Sequence, residues 1–363
     1  MTLRIPSVRL APGEDRPAVE AAVRRVVASG WYVLGPEVES FERAFAGACG
    51  AAACIGVGTG TDAIAISLRA LGIGPGDEVI TTPLSAAYTA LACMMAGARP
   101  VFADIDPRRL TIDPAAIESA ITPRTAAILP VHLYGQPADM RAIAAIAARH
   151  GLAIVEDCCQ AHLATCDGQR VGSFGAAAAY SFYPTKNLGA LGDGGAITTG
   201  DEALAAKMRR IRNGGQTDRY RHAEMGVNSR LDELQAAILA ARLPFLAAWT
   251  AARRARAAEY RRLLAGSAVD VPPELDAGHV YHLFPVLSPR RDALQAFLRA
   301  ASIETLIHYP VPIPRQPALE AQSPAACPEA DRVCRRILSL PLYPGIPEED
   351  VRAVAEAVRG FRA

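Results

Sequence analysis

Between about residues 50 and 200 the chain repeats one pattern: a short apolar run, a turn, then a helical stretch. The apolar runs are "AACIGVG" (52–58), "DEVITTP" (77–83), "RPVFADID" (99–106), "TAAILPVHLYG" (125–135), "LAIVEDCC" (152–159), "AAAAYSFY" (176–183) and "GGAITTG" (194–200). Helices are read over 61–71, 85–97 and 137–150. Strands that are apolar on both faces have no side to give to water. They predict an α/β fold with a mostly parallel seven-stranded sheet between helical layers. In such sheets the chemistry lies beyond the carboxyl ends of the strands.

A helical region follows from about 201 to 265. The Gly-rich polar stretch 213–229 breaks it and reads as either a surface excursion or a functional arm. The remainder mixes helices with a strand read over 279–288 and ends in the helix "PEEDVRAVAEAVRGF". The expected division is a large αβα domain over 1–248 and a smaller α+β domain over 249–363.

At 363 residues the chain can bury a large core, and its formal net charge of +1 comes without long runs of one sign. A dedicated nucleic-acid surface or an electrostatic membrane anchor is not expected. The N-terminal stretch shows no apolar signal core, and no uninterrupted apolar run approaches spanning length. The expectation is a soluble, cytoplasmic protein. The eight cysteines form no CxxC pair and no metal-ligand spacing, so they read as buried structural thiols with no metal site.

Of the 38 Lys and Arg residues only two are Lys, Lys186 and Lys207. A position that needs only positive charge accepts either residue. One that needs a removable proton or a nucleophilic amine needs lysine. Lys207 sits on a polar helix face, whereas Lys186 sits in "SFYPTKNLGALGDGG" (181–195). It reads either as a catalytic amine or as a turn-capping partner of an acid.

Four further elements fall at or near strand ends. "GTGTDA" (58–63) is a Gly-rich turn opening a helix; it reads as an anion cradle or as a plain helix start. Asp157 ends "AIVED", pointing into the crevice or capping the next helix, with Gln160 and His162 following. Ser181 lies five residues before Lys186, and Asn228 lies in the polar arm, two residues before Arg230. Together these describe a pyridoxal 5′-phosphate (PLP) site. That cofactor needs a lysine for its aldehyde, a carboxylate for its ring nitrogen, and helix-end donors and hydroxyls for its phosphate.

The sequence resembles the DegT/DnrJ/EryC1/StrS family of sugar aminotransferases, fold-type-I PLP enzymes, over nearly its whole length. The likeness runs from "SGWYVLGPEVESFERAFA" (29–46) through the lysine segment and "GVNSRLDELQAAIL" (226–239) to "HYPVPIPRQPA" (308–318) and "ILSLPLYP" (337–344). The resemblance implies that Lys186 holds the cofactor and then shuttles the proton. It implies that Asp157 pairs with the ring nitrogen, that Gln160 sits by the ring hydroxyl, and that Gly60, Thr61 and Ser181 hold the phosphate. It also implies a homodimer in which Asn228 reaches the partner's phosphate. Tyr88, His162, Arg219, Tyr220, Arg230, His308 and Tyr309 would line the sugar-nucleotide side.

Two departures stand out. Ala86 in "SAAYT" (85–89) occupies the place of an aromatic that stacks on the ring, and Tyr88 could substitute for it. Leu163 in "AHLA" (161–164) replaces a common Gly and is expected to narrow the space beside the cofactor. The implied reaction is transamination from an amino acid, L-glutamate by resemblance, to a nucleotide-linked keto sugar. A dTDP-3-keto-6-deoxyhexose is preferred; a 4-keto sugar or an inosose-type cyclitol is the alternative. A non-catalytic regulator on the same fold is the reading from another class.

Overall fold

The computed structural model describes residues 4–10, 13–320 and 324–362. Seven strands form the main sheet: β1 Ala53–Val57, β2 Glu78–Thr81, β3 Arg99–Phe102, β4 Thr125–Leu129, β5 Ala153–Asp157, β6 Ala177–Ser181 and β7 Gly195–Thr199. Their order is β1-β7-β6-β5-β4-β2-β3. β7 is antiparallel to both neighbours, and the contiguous strands from β6 to β3 pair in parallel. The mostly parallel seven-stranded sheet is as the apolar runs indicate.

Alternate strand residues feed two different cores. Cys54, Ile80, Ile128, Ala178 and Tyr180 pack on one face with the helices Pro36–Cys49, Met140–His150 and Glu233–Arg242. Ile55, Val79, Ala127, Ala177 and Ala179 pack on the other with Gly60–Ala70, Tyr88–Ala96 and Glu202–Arg212. The period-2 pleat therefore places one apolar half of each strand in each core, which is why both faces had to be apolar. In β6 the residues are mostly alanines, and small side chains let the helix Gly60–Ala70 lie close over the strand.

A third core gathers the C-terminal elements around the long helix Leu246–Leu264 and the antiparallel pair Phe284–Leu287 and Ile337–Leu340. Ile5 belongs to this core and bridges to Ile303, so the N-terminal segment crosses the division expected at 249. The expected strand over 279–288 contracts to Phe284–Leu287. Residues 279–283 are instead held as an irregular segment by Val280 N–H bonding to Gly135 O and Leu283 N–H to Tyr134 O. One helical run, Glu233–Leu264, is long and apolar enough by composition to cross a membrane. It is interrupted by a 3-10 turn at Leu243–Phe245, and its buried residues pack into the protein cores.

The family-like segment containing "LDELQAA" has a clear local job. Glu233 is 1% exposed, and its carboxylate accepts the backbone N–H groups of Gly35 (2.8 Å), Glu37 (2.9 Å) and Val38 (2.9 Å). It thus caps the N-terminus of Pro36–Cys49 from another helix, where orphan donors and the helix dipole both favour an anion. Replacing Glu233 by Ala leaves three donors without their acceptor. Glu233→Ala is expected to lower the unfolding free energy by about 3 kcal/mol, read as a lower urea midpoint. A midpoint equal to wild type would show that the cap carries no net stability.

Candidate active site

A cavity of about 660 Å³ opens at the carboxyl ends of the strands, between the sheet and the C-terminal elements. Asp157, the last residue of β5, enters it from the sheet. It is 5% exposed; its Oδ2 accepts from Thr89 Oγ1 at 2.9 Å and its Oδ1 from Cys159 N–H at 3.1 Å. The carboxylate is thus fixed in direction by a hydroxyl from a neighbouring helix and by its own chain.

The turn into Gly60–Ala70 also lines the cavity. Thr59 caps the helix by accepting Asp62 N–H at 3.0 Å, and the first-turn N–H groups of Gly60 and Thr61 have no intrahelical acceptor. A Cβ on Gly60 would come within 2.7 Å of Cys159 Sγ and 2.8 Å of Ser181 Cβ, so only glycine lets the turn pass this close to β6. Ser181 ends β6 beside it and also lines the cavity.

Lys186 reaches the cavity from the loop after β6, where Lys186 N–H bonds Tyr183 O. Burial draws its amine below the ordinary lysine range, opposed by Cys159 and Asp157. This is the direction a proton-carrying amine requires. Gln160 is buried; its Oε1 accepts Tyr134 N–H at 2.8 Å and its Nε2 donates to Tyr309 OH at 3.1 Å. His308 and Tyr309 close the cavity from the C-terminal side, with His308 Nδ1 3.0 Å from Ser339 Oγ. Burial, with a smaller effect from Lys186, lowers the His308 pKa to about 4.

The structure brings Gly60, Thr61, Tyr88, Asp157, Gln160, Ser181, Lys186, His308 and Tyr309 to one cavity. Five expected residues lie elsewhere in the single chain, four of them on or next to the 213–229 arm. Asn228, Arg219 and Tyr220 are exposed on the 213–229 arm, and Arg230 is half-buried with its Nη1 3.5 Å from Asn213 Oδ1. The arm is nonetheless anchored at the site's edge: Ser229 Oγ donates to Asp62 Oδ2 at 2.8 Å and accepts Gly58 N–H at 2.9 Å.

Two readings are corrected. His162 does not line the cavity: it is fully buried, its ring set against Phe45, Tyr180 and Phe182, and neither nitrogen meets a hydrogen-bond partner among the described residues. Leu163 does not narrow the cavity either. Its φ of +58°, the conformation glycine favours, turns the side chain onto the first core. Ala86 does line the cavity, with Tyr88 at the rim, 65% exposed.

Sequence reasoning missed Thr89, Tyr183, Arg253, His282 and the N-terminal Ser7 and Val8, all of which line the cavity. Tyr183 and Thr89 lie inside quoted segments and were within reach. Arg253 is one of many arginines on an Arg-rich helix, and no local pattern marks it.

A second buried cluster lies under the site. His132 Nδ1 accepts Ala138 N–H at 3.0 Å, and its Nε2 lies 3.1 Å from Glu156 Oε2. Glu156 also accepts N–H groups from Gly172, Phe174 and Gly175. With Cys158 these side chains have the spacing of a metal site. The ligand atoms of His132 and Glu156 are engaged in this hydrogen-bond net, which reads as a brace for β5.

The fold is that of fold-type-I PLP transferases. The chain matches the profile of the DegT/DnrJ/EryC1/StrS aminotransferase family over residues 14–359 and belongs to that family. It is 47% identical to dTDP-3-amino-3,4,6-trideoxy-alpha-D-glucose transaminase of Streptomyces venezuelae, over 99% of this chain and 96% of that one. It is 48% identical to a pleiotropic regulatory protein of Geobacillus stearothermophilus, over 95% of each. The solved structure of S. venezuelae DesV in complex with a ketimine intermediate superposes with a TM-score of 0.95 at 47% identity, covering 99% of this chain and 98% of that one.

Two outcomes follow from this geometry. Gly60→Ala puts a methyl into a contact closed by Cys159 and Ser181, and is expected to weaken PLP binding about tenfold or more without unfolding the chain. Fluorescence titration with PLP measures it, and unchanged affinity would separate the turn from the anion. His162 has its pKa lowered to about 3 from 6.5, chiefly by burial and secondarily by Lys186. Below pH 6.5 the unfolded chain takes up this proton and the folded one does not, so stability falls as pH drops toward 3. His162→Leu should make that fall shallower, by up to about 1.4 kcal/mol per pH unit, in denaturation series at several pH values.

Proposed function

We propose that the protein is a PLP-dependent aminotransferase that moves an amino group from L-glutamate to a nucleotide-linked 3-keto-6-deoxy sugar. The observation that carries this reading is one cavity lined together by a buried carboxylate, a helix N-terminus and a desolvated lysine. The donor set fits the cofactor. Asp157 would face the ring nitrogen, Gln160 the ring hydroxyl, and Gly60, Thr61 and Ser181 the phosphate. When bound, PLP supplies an electron sink for the carbanion formed at the donor's α-carbon.

The residues then have distinct tasks. Thr89 holds Asp157 in direction. Lys186, with its amine weakened as an ammonium, would take the α-proton at Nζ and give it up again within the same half-reaction, and would carry a proton the opposite way in the second. Gln160 and Tyr309 link the sheet side of the cavity to the C-terminal side. His308 stays neutral at working pH and serves as a hydrogen-bond partner for a sugar hydroxyl.

The active unit is a homodimer. Exposed Trp31, Tyr32, Tyr220 and Met225 form apolar surface that a second copy would cover, and Asn228 stands exposed beside Ser229, at the edge of the anion cradle. This supports Asn228 reaching the partner's phosphate, with Arg219, Tyr220 and Arg230 completing the sugar-nucleotide side across the interface. The 3-amino sugar named for the Streptomyces relative supports the preferred substrate, and a cytoplasmic enzyme would meet both substrates there. The regulator reading gains one specific support, the name of the Geobacillus relative. The intact Lys186–Asp157–Thr89 set favours catalysis.

Wild type loaded with PLP should show the absorbance band of lysine-bound cofactor, and L-glutamate should convert it to the pyridoxamine form. Lys186→Ala should lack the band and lose at least about 10³-fold in turnover. A wild-type band that glutamate leaves unchanged would overturn the donor or the enzyme assignment. A panel of 3-keto and 4-keto nucleotide sugars and an inosose then tests the acceptor.

A further inference from the structure

Three arginines are nearly fully buried, and two of them are paired. Arg212 reaches Glu42 at 2.5 Å, and Arg242 reaches Asp15 at 2.8 Å. Arg253, 4% exposed, has no carboxylate partner among the described residues. Its Nη1 donates to the carbonyls of Tyr281 (3.4 Å), His282 (3.2 Å) and Leu342 (3.1 Å), and its Nε has no partner among the described residues. Burial alone lowers its pKa to about 10, with no neighbouring charge opposing it. Arg253 also lines the cavity.

A buried guanidinium without an anion is costly, and proteins retain one where an anion arrives from outside. Three carbonyls fix Nη1 from behind, so the fork is oriented before a ligand binds. A planar fork matches a carboxylate in two parallel hydrogen bonds.

Building on the aminotransferase reading, we infer that Arg253 binds a carboxylate of the amino-acid donor, and of the keto acid it becomes. The cavity offers two anion sources, the donor's carboxylates and the diphosphate of the sugar nucleotide. Depth favours the donor. The donor's α-carboxylate is one bond from the carbon whose proton Lys186 takes, whereas a diphosphate is a sugar ring away from its reacting carbonyl. His282 and His162 each feel both Lys186 and Arg253, so the two cations stand around the same buried groups. The cationic residues of the 213–229 arm lie instead on the exposed side.

The test uses PLP-loaded wild type, Arg253→Met and Arg253→Lys. Calorimetry on the pyridoxamine form measures affinity for 2-oxoglutarate and, separately, for dTDP. Arg253→Met should weaken 2-oxoglutarate binding about 100-fold or more and leave dTDP within threefold. Arg253→Lys keeps the charge and loses the fork, and should fall between. The lysine-bound absorbance band and the melting temperature report whether each variant is folded.

Unchanged 2-oxoglutarate affinity in folded Arg253→Met would overturn the inference. A loss confined to dTDP would assign Arg253 to the diphosphate, and an equal loss of both would make it a brace for the 281–282 and 342 segments; either outcome also overturns it. If wild type itself fails to convert its band with L-glutamate, the aminotransferase reading fails first and the inference falls with it.

Discussion

The carboxyl end of β5 carries two acids in succession, and the pleat sends them to opposite sides of the sheet. Glu156 turns into a closed net of three backbone N–H groups and His132, with nothing left for a ligand. Asp157 turns the other way into the cavity, with one hydroxyl and one N–H to aim it. Holding the first acid rigid fixes where the second one points. The backbone of the next strand end joins in, since His132 N–H bonds Asp157 O and Asp157 N–H bonds Pro130 O. The position of Lys186 is referred to the same place, because β6 pairs with β5 in register up to Asp157–Ala179 and the Lys186 loop follows directly.

A close approach sets the other end of the site. The Gly60 turn touches Cys159 and Ser181, and a side chain there would push the helix N-terminus off the strand. The alanines of β6 serve the same purpose further along, by keeping the helix low over the sheet. The Gly60 turn, Asp157 and the Lys186 loop are therefore carried by backbone elements that pack closely against one another.

The C-terminal elements contribute differently. They supply the far wall through His282, His308, Tyr309 and Arg253, and they join the sheet side through buried contacts such as Tyr134 OH with His308 O and Gln160 with Tyr309. A fourth core cluster, in which Leu84, Val131 and Tyr134 pack with Ile313, Leu319 and Cys334, makes this wall continuous with the sheet domain. The cavity is a seam between the two, and its electrostatics are those of a seam. Burial there disfavours the charged form of His282 and His308, and the Arg253 guanidinium is held by three backbone carbonyls.

The sheet, and the acid, amine and Gly-rich turn along its carboxyl edge, were legible in the chain alone. Runs apolar on both faces favour a sheet covered on both sides. Acid, amine and Gly-rich turn are each local, lying on strand ends or on the turns that follow them, so their neighbours in the chain announce them. Tertiary structure alone decided what depends on distant segments meeting. It turned His162 into the core and Leu163 away from the cavity, because a left-handed residue at 163 redirects the chain in a way that side-chain type does not reveal. It chose Thr89 rather than Tyr88 to touch Asp157, a question of helix phase. It singled out Arg253, one arginine among many, by denying it the carboxylate that Arg212 and Arg242 each have. Pairing is a property of three-dimensional proximity, and a charge pattern along the chain does not encode it.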